Sequence, residues 1–244
     1  MNNIAEYLGK TVKIFIDRPL GSVHPQFPGL IYPLNYGYIP ETVGGDGEEI
    51  DVYLLSVNEP VKEYTAKVIG IIYRKNDSEY KLAAAPEGLL FNQAEIAEAV
   101  YFQEKYFETE IDALYPKSCG AIVFRENFGT REYLCLMQSK SGSYSVPKGH
   151  AEAFETESAT ALREAREEAG IELFFLPGFR MEMHYTIFGS RQKTLVLFLA
   201  KCKGKAKHDG KEISAHRWLP LCESKKCLHA DYGPFLDAAE AYTV

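Results

Sequence analysis

Three glutamates, Glu164, Glu167 and Glu168, lie three and four residues apart in the segment SATALREAREEA, residues 158–169. Ala, Leu, Arg and Glu all favour helix, and Gly170 supplies a C-terminal stop, so this spacing turns the three carboxylates toward one region of a single helix. Like charges so placed repel one another unless a cation compensates, and clustered hard oxygen donors are what Mg2+ or Mn2+ takes. Just before the helix, Pro147-Lys148-Gly149-His150 forms a loop whose glycine lets a backbone carbonyl and a cationic side chain come close to the cluster. The chemistry on offer is metal-assisted work on a phosphate. The same spacing also admits a solvated acidic helix face.

Such a helix must be held by a sheet, and the second half of the chain supplies one. CGAIVF, beginning at Cys119, and YLCLMQ at 133–138 read as strands, with a polar turn at Ser139 to Ser143. Further strands are expected at 182–188, 194–200 and 215–218, and a terminal helix at about 233–242. Leu162, Ala165 and Ala169 share the helix side that can pack on the sheet. This order predicts a mixed sheet covered on both faces.

The segment also fits a named pattern. Gly149, five residues, Glu155, seven residues, Arg163-Glu164-Ala165, one residue, Glu167-Glu168, one residue and Gly170-Ile171 reproduce the Nudix box GX5EX7REUXEEXGU without departure. The resemblance implies an α/β/α sandwich in which Glu164, Glu167 and Glu168, with the Lys148 carbonyl, hold Mg2+ or Mn2+ and one glutamate deprotonates water. It also implies that Glu155 and Arg163 lock each other as a structural pair, with Gly149 and Gly170 as structural glycines. CGAIVFR, YLCLMQ, YSVPKGH, Tyr185, KTLVLFLA, and Glu212 followed by HRWLPL resemble the asymmetric diadenosine tetraphosphate hydrolases within that family. That likeness implies hydrolysis of diadenosine tetraphosphate to ATP and AMP. Glu212 would be a further carboxylate near the metals, Tyr185 would meet an adenine or the phosphate channel, and Lys148, His150 and Lys193 would neutralise phosphate. Phe235 would complete a base clamp, or serve the apolar face of the terminal helix, which needs it just as much.

In the first half, 11–16 and 50–57 read as strands, and 66–73 with 80–84 as a hairpin turning at Asn76-Asp77. The Pro-, Gly- and Tyr-rich run between the first two suits short strands and loops around a compact β core. Asn92 and Glu95 form a capping-box pair opening a helix, with Ile96, Val100, Phe107 and Ile111 as its buried stripe. Tyr115-Pro116-Lys117-Ser118 is the expected linker between domains at 1–114 and 118–244.

This half resembles soluble inorganic pyrophosphatase in YPLNYGYIP (Tyr32 to Pro40), GDGEEIDVYLL (Gly45 to Leu55) and YKLAAAP (Tyr80 to Pro86). The resemblance implies a small β-barrel and a metal site. Asp46 and Asp51 match the family's aspartate signature, but Glu48 replaces its middle aspartate. Arg74 and Glu79 stand before Lys81 where the family has two aspartates. Tyr36 and Lys81 match and could touch phosphate. A degenerate accessory domain, a pyrophosphatase with altered ligands and a module for another phosphorylated ligand all stay open.

The 244 residues suit this two-domain α+β organisation. No run reaches the roughly 18 apolar residues of a membrane span, and the N-terminus lacks a secretory pattern, so a cytoplasmic protein is expected. Five cysteines, all in the second half, do not make a disulfide framework, and Cys222, Cys227, His229 and Asp231 have poor metal-site spacing. Residues 1–116 carry 18 acidic and 9 basic side chains, which argues against nucleic-acid binding there. The series Lys201, Lys203, Lys205, Lys207 and Lys211 reads as a strand edge and turn. The expected partner is a nucleotide, with a homodimer allowed. Hydrolysis of nucleoside triphosphates or RNA 5' ends, and nucleotide sensing without turnover, share the same box.

Overall fold

The computed structural model describes residues 4–76, 79–188, 191–208 and 210–242. The chain divides into two compact units, Met1–Pro116 with Thr186–Gln192, and Lys117–Tyr185 with Lys193–Val244. Among the described residues no helix is long and apolar enough to cross a membrane.

The first unit contains β1 (Thr11–Arg18), β2 (Asn35–Ile39), β3 (Ile50–Leu54), β4 (Glu63–Arg74), β5 (Tyr80–Ala85), α1 (Gln93–Glu104) and β6 (Thr109–Ala113). The strand order is β1-β2-β3-β5-β4-β6, and β1 also pairs with β4, so five strands close into a barrel. The long β4 makes this closure feasible: Glu63 to Lys67 pair with β1, and Gly70 to Arg74 pair with β6. Alternation along β3 and β5 sends Val52, Leu54, Leu82 and Ala84 to one apolar cluster and Tyr53 and Ala83 to another. The second cluster includes Ile96 and Val100 of α1. Because both strand faces are covered, these strands are apolar at every position but Asp51 in β3 and Lys81 in β5.

The capping box at Asn92 forms as expected, with the side chain accepting from the Ala94 and Glu95 N–H groups and Glu95 returning to the Asn92 N–H. The buried stripe of the helix is shorter than expected. α1 ends at Glu104, Phe107 lies beyond it, and Ile111 belongs to β6. The Asn76-Asp77 turn lies partly outside the described residues, since Asp77 is not among them.

The second unit is built from β7 (Lys117–Asn127), β8 (Thr130–Gln138), β9 (Tyr144–Ser145), β10 (Lys148–His150), α2 (Glu157–Ala169), β11 (Glu172–Ile187), β12 (Arg191–Lys203), β13 (Ile213–Pro220), α3 (Leu221–Cys227) and α4 (Gly233–Ala241). Its sheet runs β11-β12-β7-β8-β13, with β10 on β7 and β9 on β8. β12 is parallel to β7, whereas β8 is antiparallel to β7 and to β13, which makes the sheet mixed. Alternate residues separate its faces. Ala121, Val123, Leu134 and Leu136 pack with Ala165 and Ala169 of α2, while Ile122, Phe124, Tyr133 and Cys135 pack with Phe235, Leu236 and Ala239 of α4. This is the α/β/α sandwich expected from the sequence. The expected linker is shorter, because Lys117 and Ser118 already belong to β7.

Candidate functional site

Thr156 caps α2 by accepting the Ala159 N–H at 3.2 Å, and Gly170 ends it at φ 62°, a backbone conformation that costs glycine little. Helical spacing then places Glu164 and Glu168 one turn apart on the buried side and leaves Glu167 exposed.

Arg163 organises the entry to this helix. Its Nε and Nη2 donate to the two carboxylate oxygens of Glu155 at 2.8 and 3.0 Å, and Nη2 also donates to the His150 carbonyl at 2.8 Å. Its Nη1 reaches Glu164 at 2.7 Å and Glu167 at 3.1 Å. The Arg163 guanidinium holds the Glu155 carboxyl below its ordinary range. Glu155 further accepts from Thr160 Oγ1 at 2.8 Å, which fixes loop and helix together.

Gly149 comes so close to Glu164 that a Cβ there would sit 2.0 Å from Oε1. Any side chain would fill the space the carboxylate occupies. One residue earlier, the Lys148 N–H donates to Glu168 Oε2 at 3.0 Å. Burial, reinforced by the charge of Glu164, pushes the Glu168 carboxyl up to about 7, despite the Lys148 N–H and the Gln138 side chain that hydrogen-bonds it. Burial also raises Glu164, and Arg163 offsets this only in part. Two buried carboxylates one turn apart are thus short of positive charge. An all-oxygen donor set in that state fits a hard divalent cation. Among the described residues the acidic and thiol or imidazole groups do not already converge in threes as a ligand set, because Glu164 is turned to Arg163 and Glu168 to the Lys148 N–H.

The Lys148 charge acts on both carboxylates and on Lys193. Lys193 Nζ is 3.3 Å from His150 Nε2, and burial together with the charge of Lys148 brings the Lys193 ammonium down to about 8. The Glu212 side chain is exposed, and its carbonyl accepts the Ser139 N–H at 2.7 Å, next to Gln138. Tyr185 is half-buried against the α4-side core, its hydroxyl raised by burial and by Asp231.

Phe235 is placed differently from the expectation. Its ring is only 2% exposed, inside the core between α4 and the sheet, so no face is open to a base. Tyr232, in the same terminal segment and the same core cluster, is a buried polar neighbour that the sequence does not single out. Its hydroxyl lies 3.2 Å from Ser145 Oγ and is pushed up to about 12, first by burial and then by neighbours that include Tyr185 and Glu168. Gln138 was missed as well. Neither stands in a pattern: Tyr232 ends a 3-10 turn at Ala230–Tyr232, and Gln138 ends a strand.

In the first unit, Tyr36, Asp46, Asp51, Glu79 and Lys81 line one cleft of about 640 Å³. Glu48 is exposed, and its N–H donates to Asp46 Oδ1 at 3.1 Å.

The NUDIX domain model matches residues 114–239, and the inorganic pyrophosphatase model matches residues 2–87. Among curated relatives, the bis(5'-nucleosyl)-tetraphosphatase [asymmetrical] of Sus scrofa is 36% identical over 123 residues, covering 44% of this chain and 81% of the relative. The inorganic pyrophosphatase of Aquifex pyrophilus is 36% identical over 78 residues, covering 30% of this chain and 40% of that enzyme. A solved structure of a C. elegans Ap4A hydrolase binary complex aligns with a TM-score of 0.49 at 27% identity, over 52% of this chain and 96% of that one.

Proposed function

The chain belongs to the Nudix family through its second half, and from that premise we propose that it hydrolyses dinucleoside polyphosphates, with diadenosine tetraphosphate giving ATP and AMP. The observation that carries this reading is the pair of buried, under-neutralised carboxylates, Glu164 and Glu168, set against the Lys148-Gly149 loop. Glu164, Glu167, Glu168 and the Lys148 carbonyl, with Glu212 from its turn, would hold Mg2+ or Mn2+. When bound, the ion lowers the pKa of water and offsets charge on the phosphates.

The chain's own residues do the rest. Lys148, Lys193 and His150 draw in the polyphosphate, and the partly desolvated Lys193 ammonium gives a stronger field than an exposed one. Tyr185 offers a ring to one base, with Tyr232 beside it. One glutamate of the set takes the proton from the attacking water. Arg163 touches no substrate and acts by fixing Glu155, Glu164 and the His150 carbonyl.

Chromatography of products from diadenosine tetraphosphate and Mg2+, beside ATP and GTP, tests the proposal. Equal ATP and AMP from the dinucleotide, with the triphosphates largely untouched, is the expected result. Cleaved triphosphate beside intact dinucleotide would overturn the substrate class. Recovery of every nucleotide intact would overturn turnover itself.

A further inference from the structure

Resemblance to inorganic pyrophosphatases implies divalent metal around Asp46 and Asp51 in the first unit, and the residues present there do not fit it. The Lys81 ammonium donates to Asp51 Oδ2 at 2.5 Å, to Glu79 Oε1 at 2.6 Å and to the Tyr36 hydroxyl at 2.5 Å. Arg74 reaches Glu79 Oε2 on one side. On the other it grips Glu104 through Nε to Oε2 at 2.9 Å and Nη2 to Oε1 at 2.7 Å. Tyr36 donates to Asp51 Oδ2 at 2.5 Å, and Tyr53 donates to Glu104 Oε1.

Asp51, Lys81, Glu79, Arg74 and Glu104 therefore form an alternating ionic string with a tyrosine hydroxyl at each end. Five of its six carboxylate oxygens, all but Asp51 Oδ1, accept one of these hydrogen bonds. The cations cannot swing aside into water, because the Lys81 and Arg74 side chains are 3% and 4% exposed. A divalent ion at Asp51 would lie against a buried ammonium that already holds the same carboxylate, where repulsion is screened less than at an exposed lysine. Both phenols, raised well above their ordinary value by burial and then by Asp51 or Glu104, stay protonated donors. Bare pyrophosphate fares no better. The other cation lining the cleft, Arg18, faces Asp17 at 2.8 Å.

We infer that the first unit has exchanged divalent metal for this buried ionic string, so that its cleft neither loads metal nor hydrolyses pyrophosphate. This is independent of the reading given to α2.

Mn2+ binding by the full chain, followed by electron paramagnetic resonance as loss of the free-ion signal, tests the inference, with phosphate release from pyrophosphate and Mg2+ as a second readout. Asp46→Asn/Asp51→Asn should bind as many Mn2+ ions as the wild type, and the wild type should release no phosphate. Asp46→Asn alone, on an exposed loop, gives the same reading if the double variant does not fold. Loss of one or more bound ions in either variant would overturn the inference, as would phosphate release that Asp46→Asn abolishes. Failure of the α2 reading shows up separately, as a wild type whose Mn2+ binding is unchanged by Glu164→Gln/Glu168→Gln.

Discussion

Replacing Arg163 by lysine tests how far the site depends on a residue that touches no substrate. Arg163 makes five hydrogen bonds, two to Glu155 and one each to Glu164, Glu167 and the His150 carbonyl. A lysine ammonium has three donors and no planar fork, so it gives up the paired grip on Glu155 and the bond to the carbonyl. A charged hydrogen bond contributes roughly 1.5–3 kcal/mol. With Arg163 and Glu155 side chains 21% and 18% exposed, part of that is recovered from water, leaving a stability loss of about 1–3 kcal/mol. An effect of similar size falls on activity. Loosened support of metal-holding groups typically costs about 10–100-fold, or roughly 1.4–2.7 kcal/mol in the barrier. Steady-state kinetics on diadenosine tetraphosphate at saturating Mg2+ should show that fall in kcat with KM nearly unchanged. Glu155→Gln should do the same, and the double variant should lose much less than the product of the two. A kcat within about twofold of wild type, or strictly multiplicative losses, would refute the reasoning.

Three other outcomes follow from the geometry. The Glu168 carboxyl, at about 7 in the folded metal-free protein against an ordinary value near 4.3, contributes stability that is whole below about pH 4 and is lost as pH climbs through 7, on the order of 3 kcal/mol. Urea melts in EDTA across pH 5 to 8 should show the decline, and Glu168→Gln should flatten it. Phe235→Ala should cost about 3–5 kcal/mol by opening the core while leaving KM for the dinucleotide unchanged at temperatures where the variant is folded; a raised KM would restore the base-clamp role. Arg74→Ala strands Glu104, 4% exposed, and should destabilise by about 3–5 kcal/mol in thermal or urea unfolding of the full chain, whereas a loss below about 1 kcal/mol would show that the string does not hold the barrel.

The sequence was most legible where local chemistry decides the structure. α2 was read to within one residue because its composition, its spacing and Gly170 all point the same way. The strand expected from 182 begins at Glu172 in the fold and runs through Pro177-Gly178 as β11. β6, five residues with Ala113 alone buried, and α3, seven residues with Ser224 alone buried, carry too little apolar pattern to announce themselves. Arg74 could be seen as an intruder among metal ligands. Its partner Glu104 could not, being 30 residues on and brought back only by the packing of α1. Phe235 fits a base clamp and a core face equally well as a residue type, and only its neighbours Leu236 and Ala239 within the core separate the two.

The Arg163 hub joins residues 150, 155, 163, 164 and 167, and Lys148 to Glu168 spans only 21 positions. Its contacts are of low contact order, so the loop and α2 can assemble as one early unit with little loop-closure entropy to overcome. Tyr185, Lys193, Glu212 and Tyr232 arrive from other strands and turns, far along the chain. On the proposed reading, substitutions at Tyr185 and Lys193 can redirect the enzyme to a different nucleotide while the loop and α2, which assemble without them, are inherited unchanged; Glu212, proposed as a metal carboxylate, stays with the cleavage apparatus.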